Sequence, residues 1–519
     1  MAASDVSVAN RGGTAALRPG ALGMATSLIL AVASAAPAYG LAATLALIVA
    51  YVGFQAPAIV IVAFIPILFI SFGYAALNRR DPDCGTIFVW ATKTLSPRIG
   101  FMGGWAIIAS FILVMGSLAQ VAGQYVFILF GADGIGSDPA NPWVLLVGLG
   151  WIALMTTVCY RGIEVAAAVQ RGLLALEVVM LAAFSVVALV KVYAGHTPGT
   201  GIRPSVSWLD PFQIGSASAF VNGVVLMLFL YWGWETSLTV TEETVDPHRT
   251  PGRSAMGSTV LLLALYLMAT VAALAFAGIG ENRIGLGTPD NFGDIFSALG
   301  GAVFGTTGIG SVMFHLLILM VLTSAAASTE TTVLTLGRTM LSMGRMGALP
   351  KAFGSISPRF RVPKVGTIAT GAAGATVYVI MNFVSHGQVI ADAVSSCAVM
   401  IAFYYGLTGL TSAWAYRAQW RNSPTDMWMR VILPAIGGLT LVAAGAWFLK
   451  THWDPANSMT SWTIPIPPHW HVGGVFVIGI GALLLGALVM FGYSRMAPAF
   501  FDGEPTALET DVERKREMA

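Results

Sequence analysis

Twelve apolar stretches, each long enough to cross about 30 Å of hydrocarbon, leave this chain few ways to fold. They lie at 22–46, 53–77, 100–129, 142–160, 165–190 and 214–241, then at 256–278, 306–338, 366–385, 390–416, 430–449 and 473–494. In lipid every backbone N–H and C=O must find a partner inside the protein, so apolar runs of this length are helices. Composition agrees. Only 10% of residues are charged and 56% are hydrophobic, against roughly a quarter charged in soluble chains. The junction of the first two spans, near Tyr51–Val52–Gly53, is the least marked. The first run follows Arg11 and Arg18 and is too long for a signal-peptide core, so it is read as a retained span.

Basic residues set the orientation. With the N-terminus inside, only Lys191, Arg203, Arg283 and Lys450 of the 27 lysines and arginines fall on the outer side, as expected where cytoplasmic loops retain positive charge. The expected layout is a cytoplasmic tail at 1–20, a transmembrane domain at 21–498 and a cytoplasmic tail at 499–519, in the inner membrane of a cell. The last tail, with its Glu513–Arg514–Lys515–Arg516–Glu517 run, reads as solvated and disordered. A net charge of +2 carries no signal for nucleic acid.

No cofactor or metal is expected. Cys84 and Cys159 fall on predicted cytoplasmic turns and Cys397 inside a span, an odd count with no close spacing, which gives neither a disulfide framework nor a metal site. The outer loop 450–472 is rich in Trp, Pro and His; its His469–Trp470–His471 triplet lacks a third ligand at helical spacing and reads as an interfacial aromatic segment. The seven histidines are scattered and no zinc-protease, nucleophile-elbow or P-loop pattern occurs, which argues against an enzyme. A channel or a transporter-derived sensor stays open, although no soluble signalling domain is evident.

Three acids sit where lipid should be: Glu177 in span five, Glu235 in span six and Glu330 in span eight. A charge at mid-membrane costs about 2.5–3.5 kcal/mol on insertion scales. No lysine or arginine lies mid-span to offer a fixed countercharge, Arg171, Arg338 and Arg430 falling near the cytoplasmic ends of their spans, so these carboxyls are protonated, hydrogen-bonded, or matched by a mobile cation: a substrate amine, a sodium ion or a proton. Glu235 follows Tyr231–Trp232–Gly233–Trp234, a glycine between aromatics, where the helix can open and rings can close over a cation. Its plainer reading is a carboxyl bonded to backbone near the span end. Glu177 reads equally as a proton carrier or as a neutral acid bonded to a neighbouring helix. Glu330, within Ser328–Thr329–Glu330–Thr331–Thr332, reads first as satisfied by those hydroxyls.

Span one carries Ser34–Ala35–Ala36–Pro37–Ala38–Tyr39–Gly40 midway. Proline removes a donor and clashes with the preceding turn, so the helix kinks or unwinds there. A second interruption follows five spans later, near Gly233. Interrupted spans at matching positions of two halves point to a binding site at the bilayer midplane. Half-helix N-termini offer N–H groups to a carboxylate and unwound carbonyls receive an ammonium or a sodium ion, so one such site can hold a zwitterion.

After span six, Glu242–Glu243, Pro247, Arg249 and Pro251 resemble a segment of the amino acid–polyamine–organocation superfamily. Arg338, Met343, Arg345, Gly347, Leu349 and Pro350 are similar to that superfamily's R-x-x-x-x-M-x-R-x-G-x-L-P signature after span eight. The resemblance implies an all-α membrane protein of twelve transmembrane helices, a five-plus-five inverted repeat over spans 1–5 and 6–10, and two peripheral helices. It implies a secondary transporter for an amino acid or a related amine, working by alternating access; a small-amine or polyamine importer, or an exchanger without ion coupling, is the alternative. Carried over, Ser34, Ala35, Ala36, Pro37, Ala38 and Tyr39 form one side of the substrate site and Tyr231, Gly233, Trp234 and Glu235 the other, with Trp234 as an outer gate. Gln120, Gln124 and the Tyr404–Tyr405 pair are candidate pocket liners. Glu177 falls where some proton-coupled relatives place a lysine, so proton coupling through Glu177, with Glu330 as a second candidate, is preferred over sodium. The Ala–Pro form of the span-one break departs from the glycine-rich form that meets a substrate carboxylate in many amino acid carriers.

Overall fold

Apolar sequence becomes helix throughout the computed structural model, which describes residues 16–503 apart from 199–200, 281–283, 292–293, 420 and 422. Arg11, Arg283 and the charged run 513–517 considered above lie outside the described residues. The first half of the chain forms α1 (Met24–Ala35), α2 (Pro37–Val52), α3 (Ala56–Arg80), α4 (Ile87–Thr94), α5 (Pro97–Leu129), the short α6 (Asp133–Gly136), α7 (Pro142–Arg161) and α8 (Ile163–Tyr193). Then come α9 (Ala217–Leu230), the one-turn α10 (Thr236–Thr239), α11 (Thr250–Ala277), α12 (Ile295–Phe304), α13 (Gly308–Arg345), α14 (Lys364–Phe383) and α15 (Val389–Ala415). The short α16 (Pro424–Asp426), α17 (Leu433–Thr451), α18 (Gly474–Met496) and α19 (Pro498–Phe501) complete it.

Ten helical stretches among the described residues are long and apolar enough to cross a membrane, and the first of them, Met24–Arg80, is 57 residues long. As one rod it would reach roughly 85 Å, far beyond a bilayer. It doubles back instead. At its start the Leu22 N–H donates to the Glu243 carbonyl, and at its end the Arg79 carbonyl meets His248 Nδ1 at 3.0 Å. Both ends therefore lie on the same short segment. The reversal sits at a 3-10 turn, Gly53–Gln55, where Gly53 takes φ 58°, at the weakly marked junction.

α13 is the pillar of the fold. It packs against α1, α2, α5, α7, α8, α10 and α14, and its residues are buried almost without interruption from Ser324 to Gly344. That stretch is rich in hydroxyls, which stay dry by bonding their own helix: Thr329 Oγ1 donates to the Ala325 carbonyl at 2.9 Å and Thr331 Oγ1 to Ala327 at 3.2 Å. α13 also runs past the expected end of its span at 338, because Arg338 is buried and paired rather than left in a loop. The expected turn position of Cys159 is corrected: it lies in the last turn of α7, buried, before Gly162 ends the helix at φ 125°.

Between α17 and α18 the Trp-rich loop is ordered by one acid. Asp392, at the start of α15, accepts from the Met459 N–H, the Thr460 N–H and the Thr460 hydroxyl at 2.8, 2.7 and 2.5 Å. A small antiparallel pair, β1 (Ser461–Thr463) and β2 (His471–Gly473), folds back there, with Ser461 opposite Gly473.

Candidate functional site

Pro37 has no N–H to give, so α1 stops two residues before it, at Ala35. Ala36 takes a left-handed conformation (φ 46°, ψ 61°) and α2 starts afresh with Pro37 as its first residue, a position where proline's missing donor costs nothing. The donors exposed by this break can be accounted for one by one. The Ala36 N–H returns to the Ala33 carbonyl at 3.2 Å and the Gly40 N–H closes the first turn on Ala36 at 2.8 Å. The Ala38 N–H donates to Glu177 Oε1 at 2.6 Å and the Tyr39 N–H to Ser324 Oγ at 3.2 Å. Ser324 in turn donates to the same Glu177 oxygen at 2.8 Å. Glu177, from α8, thus caps the second half-helix of span one, while its Oε2 has no partner among the described residues.

Residues 231–235 form the second break, between α9 and α10. Gly233 adopts φ 111°, and a Cβ there would lie 2.8 Å from both the carbonyl carbon and oxygen of Ser34. The two breaks therefore touch backbone to backbone. Hydroxyls stitch them together: Ser34 Oγ lies 2.8 Å from Thr236 Oγ1, Thr236 3.0 Å from Thr335, and Ser328 donates to the Ser34 carbonyl at 3.1 Å.

Glu235 is 1% exposed and fully engaged. Tyr404 donates to one carboxyl oxygen at 2.5 Å, Tyr405 and the Gly233 N–H to the other, and the Trp232 indole donates to Tyr404. Tyr404 is therefore a partner of Glu235. Trp234 lies buried against Tyr74 and Tyr405, with ring centroids 5.1 and 5.5 Å away. Tyr231 is also buried and donates to the Val60 carbonyl at 3.1 Å.

A small cavity opens where the breaks meet. Its backbone side is Ser34, Ala35, Ala36 and Gly40, with Tyr39 beside them. Ser328 and Thr332 of α13 add hydroxyls, and Phe111, Val114, Leu118, Phe229 and Trp232 form an apolar and aromatic wall. The Phe111 and Trp232 rings lie 4.6 Å apart between centroids, tilted by 46°. No basic side chain lines it among the described residues. Gln120 and Gln124 lie elsewhere: their amides donate to the Pro139 and Gly136 carbonyls in the α5–α7 connection. Glu330 sits two residues from Ser328, about 200° round the helix, so it faces away from the cavity, and neither of its oxygens has a partner among the described residues. The hydroxyls of its own segment do not satisfy it. Ser328 and Thr332 entered the sequence analysis only as partners for Glu330 and Ser324 not at all, although their i, i+4, i+8 spacing places three hydroxyls on one face.

A charged layer closes the Leu22 end of the molecule. Arg338 and Glu243, 1% and 0% exposed in their side chains, pair at 2.5 Å. Arg345 reaches both oxygens of Glu242 at 2.9 Å; burial by itself raises that carboxyl, and Arg345 outweighs it, leaving Glu242 below its ordinary range. Leu22 is zipped into this layer by two backbone bonds, to Glu243 and from Val245, and Arg18 pairs with Glu164. Asp83, Cys84 and Glu242 bring one ligand atom each within 4.8 Å, but Ser342 already holds Asp83 and Arg345 holds Glu242.

Residues 21–496 match the family model described as amino acid permease. The chain is 25% identical over 390 residues to the low-affinity putrescine importer PlaP of Escherichia coli (strain K12), covering 73% of this chain and 78% of that one. It is 24% identical over 422 residues to the branched-chain amino acid permease BcaP of Lactococcus lactis, covering 73% and 82%. It is 20% identical over 346 residues to a methylthioribose transporter of Bacillus subtilis, covering 64% and 70%. With apolar helices along most of its length, two broken helices meeting over a cavity, and a family match from end to end of that helical region, this chain belongs to the amino acid permease family and is a multi-pass membrane transporter, not an enzyme.

Proposed function

We propose that this protein is a secondary active transporter that carries an amino acid or related amine across the cytoplasmic membrane of a bacterium by alternating access, driven by protons. Twelve crossings are the matching layout, with the doubled-back first stretch counted as two and α9–α10 as one broken span, both termini inside, and spans 1–5 and 6–10 as inverted repeats. The relatives named for putrescine and for branched-chain amino acids support the substrate range.

One observation carries the reading: two interrupted helices meet over a cavity that has buried carboxylates at both breaks and, among the described residues, no fixed cation in its lining. Glu235 lies behind Trp232 and Tyr404, where its charge draws an ammonium toward the aromatic wall. Glu177 joins α8 to the start of α2 and, through Ser324, to α13. As an anion it is held by the positive end of α2. A proton taken up at Oε2 removes that charge and loosens the joint, so that α1 and α2 can shift against α13. Its release on the other side resets the joint.

Glu177→Gln keeps an acceptor for the Ala38 N–H but cannot titrate. In reconstituted vesicles this variant is expected to lose the stimulation of uptake by an inward proton gradient, by about tenfold or more, while saturable substrate counterflow persists. Full gradient response in this variant would remove Glu177 from the coupling. Flux rising linearly without saturation would mark a channel.

A further inference from the structure

We infer that the site is built for organic amines that lack a carboxylate, because the protein's own Glu177 occupies the place where a substrate carboxylate would bind. This rests on the transport reading above and narrows its substrate class.

A free helix N-terminus inside a membrane is the natural seat for an anion, since its N–H groups have no partner within the helix. At the start of α2 that seat is full. Pro37 contributes no donor, Glu177 holds the Ala38 N–H, Ser324 holds the Tyr39 N–H, and the remaining two bond within the break. A substrate carboxylate would have to displace a buried acid, and the two would repel. At the second break the Gly233 N–H is likewise held by a carboxyl of the chain, Glu235.

Groups suited to a cation remain. α1 ends at Ala35 and α9 at Leu230, and both ends border the cavity, so the negative ends of two helix dipoles face it. The Thr332 hydroxyl is fully buried, lines the cavity and has no partner among the described residues, leaving an acceptor for an ammonium N–H. Phe111, Phe229 and Trp232 supply ring faces for the charge and apolar surface for an alkyl body.

The test uses matched pairs that differ by one carboxylate: 3-methylbutylamine against leucine, and putrescine against ornithine. Binding to the purified full-length protein is measured by competition and by thermal shift, and uptake in vesicles. The amine of each binding pair is expected to bind about tenfold or more tightly than its amino acid. Glu177→Gln, whose amide oxygen still accepts from Ala38, keeps that ratio. Glu177→Ala frees the N–H and brings the ratio to within about threefold, chiefly by admitting the amino acid. Thr332→Val, which keeps the shape, weakens amine binding about tenfold. Wild-type preference for the amino acids, or an unchanged ratio in a folded Glu177→Ala protein, overturns the inference and leaves the transport reading intact. Failure of all four compounds to bind overturns both.

Discussion

Arg338→Met is expected to destabilise the protein by about 3–5 kcal/mol, seen as a fall of roughly 3–5 °C in the unfolding midpoint of the detergent-solubilised protein. The reason lies in what it leaves behind. Glu243 is fully buried, accepts from Arg338 Nε at 2.6 Å and pairs with the same guanidinium at 2.5 Å. Arg338 also donates to the Leu334 carbonyl at 3.2 Å, which locks it against its own helix. Without it, a carboxylate stays in a dry interior with no countercharge. Adding Glu243→Leu to the variant is expected to recover most of the loss, since an apolar pair of similar volume often serves as well as a buried ion pair. A single variant as stable as the wild type would show that the pair does not brace this layer.

Gly233→Ala is expected to abolish uptake, with a loss of at least about a hundredfold. Two costs add. A residue with a Cβ held at φ 111° is strained by about 1–3 kcal/mol, and its Cβ would meet the Ser34 carbonyl at 2.8 Å, adding about 1–3 kcal/mol of overpacking. Both are relieved only by parting the two breaks, which dismantles the cavity. Gly481→Ala is the control, because a Cβ at that position meets nothing within 4 Å. Wild-type uptake by the Gly233 variant would mean that the contact between the breaks is dispensable.

These two positions show what the sequence does and does not reveal. Span lengths were legible because a bilayer imposes them, and the doubled-back first stretch was recovered despite its weak junction. The breaks at Pro37 and Gly233 were legible because each residue has a backbone property no neighbour shares. Partners were not. Glu177 and Ala38 are 139 positions apart, and nothing local marks a carboxyl on one helix as the cap of another. Gln120 and Gln124 drew attention as polar residues in an apolar span, yet they answer loop carbonyls near one end of α5. Arg338 looked like one more loop charge and is instead enclosed with Glu243. Pairing, rather than residue type, decides whether a charge in such a chain is a surface marker or a brace.

The closed charged layer has a practical corollary. Cys84 is wholly buried within it, its thiol donating to the Arg338 carbonyl, and Cys159 and Cys397 are buried too. A turnover that parts this layer uncovers Cys84 while Cys397, packed between α5 and α15, stays out of reach. The unaltered protein thus carries its own chemical reporter: maleimide labelling at Cys84 is expected to speed up severalfold when substrate drives cycling, with no engineered cysteine needed to see this layer open.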